Sequence, residues 1–253
     1  MAARALIQAI PISGIPEVRP GDSVASLIRA ALRKSRLRLL AGDILVVKHK
    51  VISKAEGAVA RLDGVNPRPK ARRWAEKWGR DARVIELATQ NARGVIRMKN
   101  GVLITETRHG VVCANSGVDL SNVDGGTSAV LLPTDPDGSA RRLMAAVRRA
   151  RGLRIPVIIA DSFGRPWREG LTEAAIGVAG LEPLRDFRGQ VDPHGYELHA
   201  SAEAVADELA ALAGLACGKL ERIPACIIRG FRYQPGRGGA HKLIRPAEKD
   251  LFR

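Results

Sequence analysis

"IPVIIADSFGRPWREG" (155–170) decides how this chain is read: a short β-branched and aliphatic run meets an aspartate, a serine and then Gly and Pro. Such a run, bounded by turn residues, predicts a fully buried strand. On that reading Val157 to Ala160 present Asp161 and Ser162 at the strand end, where the chain breaks into a loop. "DILVVKHKVISKAEG" (43–57) follows the same plan with the opposite charge, an apolar strand that turns basic and places Lys48, His49, Lys50 and Lys54 at its end. In "VVCANSGVDLSNVDGG" (111–126) another apolar run stops in oxygen-bearing residues, with Asp119 beside Asn115, Ser121, Asn122 and Asp124.

Outward from these segments, strands and helices alternate without a strict repeat. "RALIQAIPI" (4–12), "GVIRMK", "GVLITETRHGVVCAN" with a turn near His109 and Gly110, "SAVLLP" and "IPACIIRG" (223–230) read as strands. Helices are expected after the Asp22–Ser23 cap, over 66–79 and 82–92, over 135–152 up to Gly152, and over 201–218. Trp74 and Trp78, at i,i+4, form a packing stripe. The Gly-rich tail ends in an apolar anchor of Leu243, Ile244, Leu251 and Phe252. The fold class is therefore α+β (mixed α/β), one catalytic unit over 1–253 in which two interlaced lobes would have no readable boundary.

At 253 residues with 45% hydrophobic content the chain is long enough for a substantial core. No apolar run approaches the roughly 20 residues that span a bilayer, and the start "MAARALIQAIPISG" does not resemble a signal peptide, so a cytoplasmic location and no membrane partner are expected. Cys113, Cys217 and Cys226 are read as buried thiols, neither disulfide nor zinc site. Lys and Arg number 41 against 26 Asp and Glu, a net charge of +15 that favours anionic partners. Nucleic acid is the first such class, but aromatics are only 4%, the basic residues are dispersed, and no zinc-finger, RRM or helix-turn-helix pattern occurs, so it is set aside. A substrate with several phosphates or carboxylates fits better, and an Arg-rich coding bias is the plain alternative.

Chemistry follows from the strand-end residues. Asp119 and Asp161, with hydroxyl and amide oxygens nearby, offer hard ligands that suit Mg2+ or Mn2+. Taken alone, either loop is ordinary turn and cap chemistry; two of them in one basic chain weaken that reading. Asp124 reads as a turn residue. The Lys-rich segment supplies ammonium groups for a triphosphate, or else a solvated edge strand blunted by lysine, and Gly14 in "PISGIPE" allows backbone donors to approach phosphate. There is no GxxxxGK[ST] and no GxGxxG after a strand, which excludes P-loop and Rossmann binding. No serine or cysteine nucleophile stands out, and His109, His194 and His199 sit where turn or strand histidines are ordinary.

Taken together, "GDILVVKHKVISKAEG", "ETRHGVVCANSGVDLSNV", "LLPTDPDGSA", "DSFGRPWREG", "VADELAALA" and "LIRPAEKDLFR" resemble the coenzyme F420-0:L-glutamate ligase family, in order and over nearly the whole chain. The resemblance implies a ligase-specific fold, distinct from ATP-grasp, in an intertwined homodimer. It implies GTP-dependent addition of L-glutamate, by a gamma linkage, to the deazaflavin coenzyme F420-0 with release of GDP and phosphate. Divalent cations, two of Mg2+ or Mn2+, with K+ as a further candidate, are implied as cofactors. A related ligase with a different amino acid or acceptor is the alternative. By position, the resemblance implies metal binding at Asp119 and Asp161, with Ser162 at a second metal. It implies GTP contacts at Lys54, Asn122 and the loop Ser13, Gly14, Ile15 and Pro16, and catalysis by Asp119, Asp161 and Lys54. Two residues depart from the pattern: His49 stands where a small hydroxyl residue is usual, and Lys219 where an acidic or amide metal ligand is usual. Both are expected at the nucleotide, with Lys219 either leaving the second metal fewer ligands or contacting phosphate. Arg165, Arg168, Arg185 and Arg188 are candidate anion clamps.

Overall fold

The computed structural model describes residues 6–251. In chain order its elements are β1 (Gln8–Pro11), α1 (Val24–Lys34), β2 (Ile44–Lys48), α2 (His49–Ala55), β3 (Val59–Arg61), α3 (Pro69–Trp78), α4 (Ala82–Gln90), β4 (Ala92–Lys99), β5 (Val102–Thr107), β6 (Val112–Ala114), β7 (Ser128–Val130), α5 (Pro136–Arg151), β8 (Val157–Arg165), β9 (Arg168–Ala179), β10 (Arg185–Asp186), β11 (Ala202–Glu203), α6 (Val205–Cys217) and β12 (Ala225–Arg229). Helices and sheets mix as the alternation predicts, giving a mixed α/β chain.

The principal sheet has the order β1-β12-β2-β8-β9. Its central strands are apolar along their length because both faces are covered. Leu45, Val47, Val157 and Ile159 point into a core shared with α1 and α5, while Ile44, Val46 and Ile158 point into one shared with α6. Each such side chain, 0–3% exposed, contributes about 1.5–3 kcal/mol by leaving water. Only β2 and β8 are parallel, with Val47 opposite Ile159 and Lys48 opposite Ala160; β1, β12 and β9 pair antiparallel. Their parallel run therefore ends at one edge, at Lys48 and Ala160. Helix α5 packs on β9 so closely that a Cβ on Gly177 would strike the Pro136 carbonyl.

Between α2 and α5 the chain builds a third core, that of a separate lobe. Ala71 and Ala75 of α3, Ile85, Leu87 and Ala88 of α4, Leu103 of β5, and Val118 and Ala129 close around one another. The β4-β5-β6 and β3-β7 sheets complete this lobe. Trp74 packs against its core, with Lys70 Nζ 4.7 Å from its ring centre.

Three expectations are corrected here. The segment 49–55 is not a strand end but helix α2, which starts directly after Lys48. The strand read as stopping at Ala160 runs on to Arg165, turns at Pro166 and Trp167, and returns as β9, so Asp161 and Ser162 lie inside a hairpin rather than in a loop. In the tail, Leu243 packs on the α6-side core, but Leu251 is 82% exposed and anchors nothing; Phe252 lies outside the described residues, as does the start of the strand expected over 4–12.

Candidate active site

A cavity of about 230 Å3 opens at the edge where β2 ends and its pairing with β8 stops at Ala160, the position at which ligands bind beside the carboxyl ends of parallel strands. Parts of five segments wall it: 15–18, 48–54, the 119–122 loop, 160–173 across the hairpin, and 218–224.

Helix α2 supplies most of the charge. Residues 49, 50, 53 and 54 share the face of its two turns that looks into the cavity wall. His49 is 2% exposed, Ser53 0% and Lys54 8%. His49 Nε2 stands 3.2 Å from Asp161 Oδ1 and its Nδ1 3.2 Å from Ser53 Oγ. A carboxylate only accepts, so Nε2 carries hydrogen toward Asp161 and Nδ1 faces the hydroxyl. Lys54 Nζ donates to Glu17 and, at 2.6 Å, to the backbone carbonyl of Asn122.

The 119–122 loop is fixed from two sides. Asp119 exchanges backbone hydrogen bonds with Val130 (3.0 and 2.8 Å), which pins it to the end of β7. Its Oδ1 accepts from Ser121 N (2.7 Å), and its Oδ2 from Lys50 Nζ (2.7 Å) and Ser121 Oγ (3.1 Å). Burial pushes the Asp119 carboxyl up, but the Lys50 and Ser121 bonds outweigh it and hold it below the ordinary carboxylate range. Asn122 takes a left-handed conformation (φ 59°) that turns its carbonyl toward Lys54. Asp124 accepts from Ser128 Oγ at 2.9 Å and does not line the cavity, as its reading as a turn residue requires.

On β8, alternation sends neighbouring side chains to opposite faces of the sheet. Asp161 faces α2. Ser162 faces α6, where its hydroxyl donates to Glu173 Oε1 at 2.9 Å across the hairpin. Cys113, beside the same site, is pushed up to about 12 by burial and by the Asp161 charge, so it remains a neutral thiol. All three cysteines are free and buried.

Asp119 and Asp161 both open on the cavity, and among the described residues no three of His, Cys, Asp and Glu gather into a metal cage. Such a pair suits an ion of the Mg2+ type, which takes one or two carboxylates and completes its shell with water and substrate phosphates; it does not suit a zinc cage.

Residues 14–230 match the family model described as F420-0:Gamma-glutamyl ligase. The chain belongs to that family. It is 44% identical to the coenzyme F420:L-glutamate ligase of Methanothermobacter thermautotrophicus over 98% of this chain and 99% of the relative. The protein of the same name from Methanopyrus kandleri is 41% identical (98% and 97% covered), and that from Methanocaldococcus jannaschii 43% identical (84% and 85% covered).

Against the expectations drawn for an F420-0:gamma-glutamyl ligase, the cavity brings together Ile15, Pro16, His49, Lys54, Asp119, Asn122, Asp161, Ser162 and Lys219. Ser13 and Gly14 are exposed just outside its lining. Lys219 is exposed on the rim, with no carboxylate partner among the described residues. None of the four expected arginine clamps lines the cavity: Arg188 pairs with Asp186, Arg185 stacks on Phe187, and Arg165 and Arg168 sit at the hairpin tip. Arg222 lines it instead. Sequence reading missed Arg222, Glu17 and Glu173; for Glu173, the apolar alternation of "GLTEAAIGVA" was the available signal.

Proposed function

We propose that this chain is a GTP-dependent ligase that joins the amine of L-glutamate to the carboxylate of coenzyme F420-0, giving the gamma-glutamyl product, GDP and phosphate. The observation that carries the reading is a cavity in which Asp119 and Asp161 are each held by a side chain of one helix, the Lys50 ammonium or the His49 imidazole, in a chain of this ligase family. The near full-length relatives named for that activity support the substrate class.

The chemistry has two steps. A carboxylate does not condense with an amine at neutral pH, so an oxygen of the acceptor carboxylate first attacks the γ-phosphorus of GTP, the bond to GDP breaks, and an acyl phosphate forms. The amine then attacks the acyl carbon and phosphate leaves. Phosphoryl transfer depends on in-line placement and charge neutralisation. Lys54, positioned by Glu17 and the Asn122 carbonyl, meets phosphate oxygens; Lys50 and Lys219 add positive charge, and Ile15 and Pro16 wall the nucleotide. Asp119 and Asp161 would hold Mg2+ or Mn2+, which supplies screening of the phosphate charge when bound. His49 orients Asp161 from within the fold. The active species is a homodimer, for which the exposed Val102 and Val112 on the outer face of β5 and β6 provide apolar surface.

Incubation with GTP, Mg2+ or Mn2+, L-glutamate and F420-0, followed by mass analysis, tests this. One added glutamyl residue with matched GDP release is expected. A product made equally well without GTP, or made with another amino acid in preference to glutamate, would reject it.

A further inference from the structure

The end of the principal sheet divides the cavity by chemistry. His49, Lys50, Lys54, Asp119 and Asp161 lie on the α2 side; Lys48, Ser162 and Glu173 lie on the α6 side, with Lys219 at the rim. The proposed GTP site uses the first group. Of the second, Lys48 and Glu173 take no part in the phosphoryl transfer proposed above.

Glu173 has a 12% exposed side chain, and its Oε1 accepts from Ser162 Oγ. Lys48 Nζ stands 3.7 Å from the same oxygen, beyond hydrogen-bond reach, because it donates to the Gly218 carbonyl at 2.7 Å. Glu173 Oε2 has no hydrogen-bond partner among the described residues. The Glu173 stem lies against Gly214 of α6, where any Cβ would collide with its Cγ. A glycine inside a helix costs about 1 kcal/mol relative to alanine, and here it leaves the space that the carboxylate stem fills. Beside the pair lies a recess of about 10 Å3, bounded by Lys48, Glu173, Gly214 and Cys217, room for one ammonium- or water-sized group.

A carboxylate with a free oxygen, joined to a neighbouring ammonium only by a long 3.7 Å ion pair without a hydrogen bond, is complementary to an α-amino acid, whose own ammonium and carboxylate are adjacent. Other cavity carboxylates are less available: both oxygens of Asp119 are engaged, Glu17 is bound to Lys54, and Asp161 lies across the sheet edge. We propose that Glu173 and Lys48 form the amino-acid subsite, with Glu173 receiving the ammonium of the incoming glutamate and Lys48 facing its carboxylates. This rests on the ligase reading above and places the attacking amine on the opposite side of the sheet edge from the nucleotide. In the second step the N–C bond forms and the C–O bond to phosphate breaks; of the two protons the nitrogen sheds, one leaves on phosphate and one goes to solvent.

Hydroxylamine, a small neutral nucleophile without a carboxylate, traps an activated carboxylate as a hydroxamate without an amino-acid subsite. Glu173→Gln is expected to raise KM for glutamate about 10- to 100-fold, the range of a lost charge-assisted hydrogen bond. GTP- and F420-0-dependent hydroxamate formation and KM for GTP should stay at the wild-type level. Gly214→Ala, which displaces the same carboxylate from behind, should raise KM for glutamate in the same selective way. Parallel loss of hydroxamate and glutamyl product in Glu173→Gln would overturn the subsite by assigning Glu173 to phosphoryl transfer, and an unchanged KM for glutamate would overturn it directly. Wild-type protein that forms neither product would overturn the ligase reading itself, and the subsite with it.

Discussion

Asp119 and Asp161 meet different side chains of one helix, the Lys50 ammonium and the His49 imidazole, and that difference governs what each substitution does. Asp119 is half-exposed and bonded to Lys50 and Ser121, so Asp119→Asn removes a charge from the cavity with little cost to the fold. Asp161→Asn keeps an acceptor for His49. Each variant is expected to lose GTP-dependent ligation by about 100-fold or more, the scale of a removed electrostatic stabiliser, while circular dichroism and melting stay near wild type; normal turnover in both would dismiss the carboxylate assignment. These two residues were legible because a carboxylate beside an apolar run in a basic chain is conspicuous. Glu173 was not, since no element was read over its segment, and the Lys54 contact runs to the Asn122 backbone, which side-chain identity cannot announce.

At the scale of elements, helix α2 and hairpin β8-β9 were misread for physical reasons. A seven-residue helix is too short to stand alone, and 49–55 is helical because Ile52 reaches the core while the buried His49 and Lys54 find partners in Asp161 and Glu17. At the hairpin tip Pro166 announces a break, but Trp167 adopts φ 56° and closes a two-residue turn that lets both strands continue. Two ties between elements give measurable consequences. Asp43, 1% exposed, receives both Arg229 Nε and Nη2 at 2.8 Å and joins the start of β2 to the end of β12. Asp43→Ala leaves that guanidinium without its carboxylate and is expected to cost about 3 kcal/mol, read by urea unfolding; a loss no larger than that of a surface substitution would contradict it. Glu86, also 1% exposed, stitches α4 to the start of α3. Burial pushes its carboxyl up, but bonds from Arg68 N, Gln90 and the Arg68 side chain prevail and hold it below the ordinary value. Its contribution is therefore full above the unfolded carboxyl pKa and is lost as pH falls through the lower folded value. Trp74 and Trp78 on α3 should report an acid transition by fluorescence that Glu86→Gln removes; an unchanged transition in that variant would show that Glu86 does not drive it.

For the whole molecule, the two lobes meet at the cavity, since Lys50 and Lys54 come from the sheet lobe and Asp119 and Asn122 from the other. The β4-β5-β6 sheet turns Val102 and Val112, 45% and 42% exposed, away from the core of its own lobe. If that face joins two copies, light scattering should give twice the chain mass and Val112→Asp should halve it with secondary structure retained; wild-type protein at the single-chain mass would end the dimer proposal. Among the described residues no helix is long and apolar enough to cross a membrane.

The sequence by itself determined the mixed α/β class, most of the strands and helices, the buried thiols and the residue types that a phosphate- and carboxylate-handling site needs, because periodicity, caps and charge are local properties of the chain. Only the tertiary structure decided which faces those residues share. The parallel alignment of β2 with β8 brings positions over a hundred residues apart to one edge, and the alternation of a strand whose true length was hidden sends Asp161 to one side of it and Ser162, with Glu173, to the other. Pairing between distant segments is set by packing across the sheet, and local sequence carries no record of the partner.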